Sequence, residues 1–320
     1  MTDNIVNKLR LRLNARIIGV ISALVLTFVV FTILEPAFIT FDNLLEVGVQ
    51  SAIIAFVALG LTFVIVTGGI DISVGSIVGL TAVICATNLE HWGTGLTIVA
   101  GILIGTVLGA FNGAVSAFFK VQSFVVTLAT LNLFRGLAFL YTDGRPIYNL
   151  DQNFRDFFSA NLGNIPKPIL FLAGIAIISY VVLNRSKLGL HLKAFGTNAD
   201  AALRSGVNVR RSQITAFALG GALAGIGALM LMSRIGAAEP VSGTGFELQA
   251  IAAVVVGGTS LMGGRASIAG TVLGAILLGS IANGLTLLNV NAFVQLVVTG
   301  VIVLGAVLTD RLATRSKNGR

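Results

Sequence analysis

Few residues in this chain are of a type that can do chemistry, and those few stand in apolar surroundings. Asp71 and Ser73 interrupt "VIVTGGIDISVGSIVGL" (64–80) just after Gly68-Gly69. Asn112 and Asn283 are each followed by glycine and stand ahead of a new apolar stretch. Asn132 and Arg135 lie within "TLATLNLFRGLAFLYTDGRPI". Such groups offer hydrogen bonds to a polar solute rather than bond making. An enzyme site needs an acid-base, nucleophilic or metal constellation, and none can be assembled here. His91 and His191 fall in different loops, and Cys85 is the only cysteine, so no intrachain disulfide forms. No G-x-x-x-x-G-K-[ST] occurs, so the chain is not expected to cradle ATP phosphates. It is therefore expected to be no enzyme and to hold no catalytic residue, metal or cofactor of its own.

Each polar position has two open readings. Asp71 and Ser73 either cap a tight turn at the membrane edge, Gly68-Gly69 ending one helix with a left-handed residue, or they belong to a path or gate. Arg135 either snorkels to the interface or lines a polar cavity with Asn132. Asn112, Asn283 and Thr81 either line the same path or are satisfied by a neighbouring helix. Asp71, Glu90, Glu239 and Glu247 sit near the ends of apolar stretches, and the lack of deeper acids argues against an ion-coupled carrier.

The elements that must position these groups are membrane helices. The chain has 320 residues, 55% hydrophobic and 11% charged, with mean hydropathy +0.95. About 25% charge is usual for a soluble domain, so too little polar surface exists for a water-soluble globule. Stretches near the roughly 20 residues needed to cross a bilayer fall at 17–34, 44–67, 72–89, 94–118, 122–140, 168–184, 212–233, 266–288 and 292–309. A tenth, 247–262, covers only about 24 Å as a helix and is expected to be broken, steep or re-entrant. The first follows a basic leader but lacks a small-x-small cleavage site, and reads as an uncleaved span. The expectation is a single all-α, polytopic membrane domain over 1–320, of about ten transmembrane helices. Gly101, Gly105, Gly109 and Gly113 recur every fourth residue, a smooth face for close helix contact; Gly221 and Gly225, and Gly270 and Gly274, repeat the device.

Charge sets the orientation. If all ten stretches cross, sixteen of the 21 Lys and Arg fall in segments on the N-terminal side and four on the other, Arg135 lying within a span. The positive-inside rule then places both termini, the tails 1–16 and 310–320, in the cytoplasm. The +8 net charge belongs to short loops facing anionic lipid, not to a nucleic-acid surface.

An internal repeat is visible. Gly68-Gly69 matches Gly257-Gly258, "SIVG" (76–79) matches "SIAG" (267–270), Asn112-Gly113 matches Asn283-Gly284, and "VQSFV" (121–125) matches "VNAFV" (290–294). Gly75 to Asn112 is 37 residues and Gly264 to Asn283 is 19. The difference is about one crossing, which would leave the double glycines parallel and the asparagine regions antiparallel.

The segment 185–211 is the most informative soluble stretch. Thr197 is expected to cap a short helix, with Asp200 three residues on, and Gly206 to stop it. Two turns of helix are marginal alone, so this one packs on a partner or on the membrane domain.

"TGGIDISVGSIVGL", "VQSFVVTLATLNLFRGLAFLYTDGRPI", "LGLHLKAFGTNADAALRSGVNV" and "GTGFELQAIAAVVVGGTSLMGG" together resemble the ribose-type monosaccharide permeases of bacterial ABC importers and, more distantly, branched-chain amino acid permeases. The resemblance spans about residues 35 to 310. It implies a homodimer of permease subunits in the inner membrane, a cytoplasmic ATPase that binds the ATP, and a periplasmic sugar-binding protein. It also implies a coupling loop at 185–211 in which Gly196, Asn198, Ala201, Ala202, Leu203, Gly206 and Val207 fall on the ATPase-contacting segment. The solute is left open among ribose-like sugars, a signalling furanose and a branched-chain amino acid, with an ion-coupled carrier as the remaining rival.

Overall fold

The computed structural model describes the backbone of residues 2–318 and the side chains of 17–305 and 308. The side chains of the two tails lie outside the described residues. Helices account for nearly all of it: α1 (Thr2–Leu34), α2 (Phe41–Ile65), α3 (Val74–Phe119), α4 (Ser123–Thr142), α5 (Gln152–Ser159), α6 (Lys167–Arg185), α7 (Lys187–Thr197), α8 (Ala199–Arg204), α9 (Val209–Ile235), α10 (Phe246–Val256), α11 (Ile268–Leu287) and α12 (Ala292–Asn318). The expected all-α polytopic architecture is what the chain adopts.

Among the described residues, seven helices are long and apolar enough to cross a membrane, and α3 among them is two crossings. At 1.5 Å per residue its 46 residues would stretch about 69 Å, over twice a hydrocarbon core. Instead Gly93 takes φ +66, ψ 172, and the chain folds back. Cys85 Sγ therefore lies 3.8 Å from Thr97 O, and Ser73 Oγ lies 2.8 Å from Asn112 Nδ2. The hairpin limbs agree with the expected stretches 72–89 and 94–118. With α10 and the apolar part of α12, ten transverse segments result.

Burial sorts the helices. In α2, 83% of the most apolar window is buried, against 11% in α1. A helix apolar on all sides belongs at the centre; α2 packs there against α9, α10, α11 and α6. α1, α4 and α6 present Leu, Ile, Val and Phe outward, as a lipid-facing surface requires.

The second limb of α3 lies against α9 with backbone close to backbone. A Cβ on Gly109 would sit 3.0 Å from Gly221 Cα, one on Gly105 would collide with the Gly221 carbonyl, and one on Gly225 with that of Gly101. The four-residue glycine spacing is the packing face of this pair.

The connection 143–166 is structured. α5 buries Phe154 and Phe158 against the bundle, the Phe158 ring tilted against Phe171 with centroids 5.8 Å apart. β1 (Ile147–Tyr148) pairs antiparallel with β4 (Ala237–Ala238), and β2 (Asn161–Leu162) with β3 (Ile165–Pro166).

These pairings mark one end of the bundle; the basic segment 185–211 marks the other. α2 and α11 run antiparallel, since Thr62 meets Thr271 (2.9 Å) and Asn43 meets Asn283 (3.0 Å). α2 and α10 both finish at the basic end, where Gly264 N donates to Val66 O (2.8 Å). The repeat is thus mixed as its spacing implied: the double-glycine units run parallel, and the extra limb of α3 reverses the direction of the helices after it.

Candidate functional site: a helix break, a clamped segment and a glycine junction

Between α2 and α3, residues 66–73 leave helical geometry. Gly68 adopts φ +80, a conformation that disfavours side chains bearing Cβ, and turns the chain. This is the left-handed residue that the turn reading expects, and the polar residues after it, Asp71 and Ser73, are fully buried. The segment runs inside the bundle beside the start of α4. Non-helical backbone inside a membrane bundle must find partners within the protein, and α4 supplies them. Ser123 Oγ accepts from Ile70 N (3.0 Å). Thr127 Oγ1 accepts from Ile72 N (3.3 Å) and donates to Ile70 O (3.2 Å).

Asp71, Ser73 and Asn112 form one buried cluster. Asp71 Oδ1 accepts from Ser73 N (2.8 Å) and Ser73 Oγ (2.6 Å), while Asn112 Nδ2 donates to Ser73 Oγ (2.8 Å). Ser73 occupies the N-cap position of α3 without a side-chain capping bond, its own N–H and hydroxyl being directed to the Asp71 carboxyl.

Arg135 belongs to a second locus. After α9, residues 236–245 run non-helically from β4 back into the bundle. Arg135 Nη1 donates to Pro240 O (2.5 Å) and Ser242 O (2.8 Å). Gly79 makes room for this clamp: a Cβ there would stand 2.8 Å from Arg135 Nη1 and from Ser242 O. Gly75 likewise admits Gly243 and Glu247. The segment delivers the chain to α10, which is only 11 residues long. The expected broken crossing is therefore a non-helical entry, a short helix and a second knot at 257–267.

The other expected positions lie apart. Asn132 is exposed, its Nδ2 turned to Leu128 O of its own helix (3.3 Å). Asn283 forms a reciprocal amide pair with Asn43, at 3.0 Å in both directions. Ser123 and Thr127 escaped sequence reasoning, although hydroxyls four residues apart at the start of an apolar helix were a usable signal.

At the basic end, α7, α8 and α9 come in short order. Ser186 caps α7 (Gly189 N, 3.2 Å), Asn198 caps α8 (Ala201 N, 2.9 Å) and Asn208 caps α9 (Arg211 N, 2.9 Å). The expected cap Thr197 is displaced by one residue. It ends α7, its hydroxyl donating to Lys193 O (2.8 Å), because Asn198 has the extended backbone that a cap needs (φ −162, ψ 108). Gly206 stops α8 at φ +83. Val207 N donates to Ala202 O and Gly206 N to Leu203 O, both at 3.0 Å, a Schellman closure. Ala202 and Val207 are buried, whereas Leu203 is 62% exposed.

α7 ends against Val66 and against Gly263-Gly264. A Cβ on Gly196 would collide with Val66 O and stand 2.7 Å from Gly264 N. One on Gly263 would stand 2.8 Å from Gly68 N. Three backbone segments meet here, with the Thr197 side chain beside Gly264.

A family model described as branched-chain amino acid transport system / permease component matches residues 43–307. The chain belongs to this family of membrane permease components. It is 41% identical over 297 residues to the ribose import permease protein RbsC of Bacillus subtilis (strain 168), covering 92% of each chain. It is 38% identical over 294 residues to the ribose import permease protein RbsC of Haemophilus influenzae, covering 90% of this chain and 91% of that one. Against the D-allose transport system permease protein AlsC of Escherichia coli (strain K12) the identity is 35% over 301 residues, 93% and 92% of the two chains. No solved structure matches the chain.

Proposed function

We propose that this chain is the membrane permease subunit of an ATP-binding-cassette importer that admits a ribose-like monosaccharide across a bacterial inner membrane. Two copies form the path between them. A periplasmic binding protein delivers the sugar, and a cytoplasmic ATPase bound at 185–211 supplies the energy. The basic end of the bundle faces the cytoplasm, with both termini, in line with the distribution of Lys and Arg. The relatives that import ribose and allose support the choice of solute.

The observation that carries the mechanism is the junction of Gly196, Val66 and Gly264. In this reading Gly196, Asn198, Ala201, Ala202, Leu203, Gly206 and Val207 form the handle. Its base abuts the helix break at Asp71 and Ser73 on one side and the 257–267 knot on the other. A displacement of α7–α8 is passed to both through this backbone contact. Arg135, across Gly79 from that break, holds the 240–242 backbone where the path narrows. Asn112 steadies the break, Asn283 the far end of α11, and Asn132 faces the second copy or lipid.

Partner contact is tested at Leu203, because Ala202 is buried in its own turn and Leu203 is not. Leu203→Asp is expected to leave insertion and thermal stability unchanged while lowering ATPase copurification and solute uptake at least tenfold, a loss of about 1.4 kcal/mol. Undiminished copurification would remove α8 from the interface.

A further inference from the structure

Asp71 carries an unfinished hydrogen-bond account. Its side chain is fully buried, and both donors that reach it, Ser73 N and Ser73 Oγ, fall on Oδ1. Oδ2 has no partner. In the same cluster Asn112, also fully buried, directs its amide nitrogen to Ser73 Oγ and leaves Oδ1 without a partner. Two acceptor oxygens thus stand bare in one buried group, and a carboxylate is one of them. Left ionised, it would be a buried charge without a counter-ion, an arrangement proteins avoid by pairing or by neutralisation.

No counter-ion is at hand among the described residues. Arg135 on α4 is engaged with Pro240 O and Ser242 O. Glu247, at the start of α10, accepts from Gly245 N and lies against Gly75; it carries the wrong sign. α2 bears Asp42 and Glu46 near its opposite end, α3 bears Glu90 and His91 near its hinge and Lys120 past its end, and α9 bears exposed Arg210 and Arg211 at its start. None of these makes an ion pair with Asp71.

We propose that Asp71 is a proton-binding site: its Oδ2 holds a hydrogen taken from bulk water and donates it to Asn112 Oδ1. One proton then removes the buried charge and satisfies both bare oxygens, since a protonated carboxyl gains the O–H donor that the ionised form lacks. The break between α2 and α3 is neutral while it is closed. Any step that admits water to Asp71 allows the proton to leave.

Infrared spectroscopy of the full-length chain reconstituted in lipid tests this directly. At pH 6 an ordinary aspartate, with a pKa of about 3.9, is ionised. The difference spectrum of wild type minus Asp71→Asn is expected to show a carboxylic-acid C=O stretch. A pair of carboxylate stretches in its place would overturn the proposal and leave a buried water or cation as the partner of Oδ2. Asn at 71 presents the same acceptor and donor as the protonated acid, so Asp71→Asn is expected to melt within about 2 °C of wild type; a large fall in Tm would mean that the charged form is required. Asn112→Leu is expected to move the wild-type band to higher frequency, and an unmoved band would overturn the assignment of Asn112 as acceptor.

Discussion

Arg135 points one guanidinium nitrogen at two backbone carbonyls of a segment more than a hundred residues away. Hydrogen bonds from a charged donor contribute roughly 1.5–3 kcal/mol each, enough to fix a non-helical stretch that has few backbone partners of its own. Arg135→Ala is expected to reduce uptake at least tenfold. Arg135→Lys, which retains a donor but not the planar fork, is expected to fall between. Wild-type uptake by the alanine variant would show that the clamp on Pro240 and Ser242 has no part in transport. The sequence made Arg135 conspicuous as the one cation inside a span, yet its acceptors were hidden, because carbonyl oxygens have no residue type to recognise. For Asp71 the partners were hidden for a related reason: only the hydroxyls of Ser123 and Thr127 on α4 explain how the backbone after Gly68-Gly69 is buried.

At the scale of elements, the glycine stripe of α3 was legible and the length of α10 was not. Spacing by four residues places Gly101, Gly105, Gly109 and Gly113 on one face whatever the surroundings. The partner, α9, declared itself by the same spacing at Gly221 and Gly225. Gly105→Leu is expected to drive its side chain into the Gly221 backbone and to destabilise the bundle by about 3 kcal/mol, read as a lower melting temperature of the detergent-solubilised chain. An unchanged melting temperature would mean that the two helices separate at little cost. By contrast, the stretch 247–262, expected to be broken, steep or re-entrant, does not show where α10 ends, because Gly257-Gly258 sits in an apolar run. The helix stops there because Gly257 packs on the backbone of Gly270 and Gly258 turns at φ +89. The cap of α8 moved by one residue for an equally local reason: Asn198 outcompetes Thr197 for the extended position.

At the scale of the whole molecule, composition alone separated this chain from soluble proteins, and the ten transverse segments emerge from hydropathy once the Gly93 fold-back is recognised. The mixed repeat was likewise readable as an 18-residue difference in spacing. The convergence at the basic end could not be read, because there α7 touches both knots through glycines far apart in sequence. That convergence gives a reason for the glycines and for the proposed division of labour, in which this chain shapes the passage and a partner drives it. The direct test is accumulation of radiolabelled D-ribose by proteoliposomes containing the purified chain, with and without its ATPase, binding protein and ATP. Uphill accumulation only when all three are supplied is the result this account requires. Uphill accumulation by the chain alone, or on an imposed proton or sodium gradient, would contradict it.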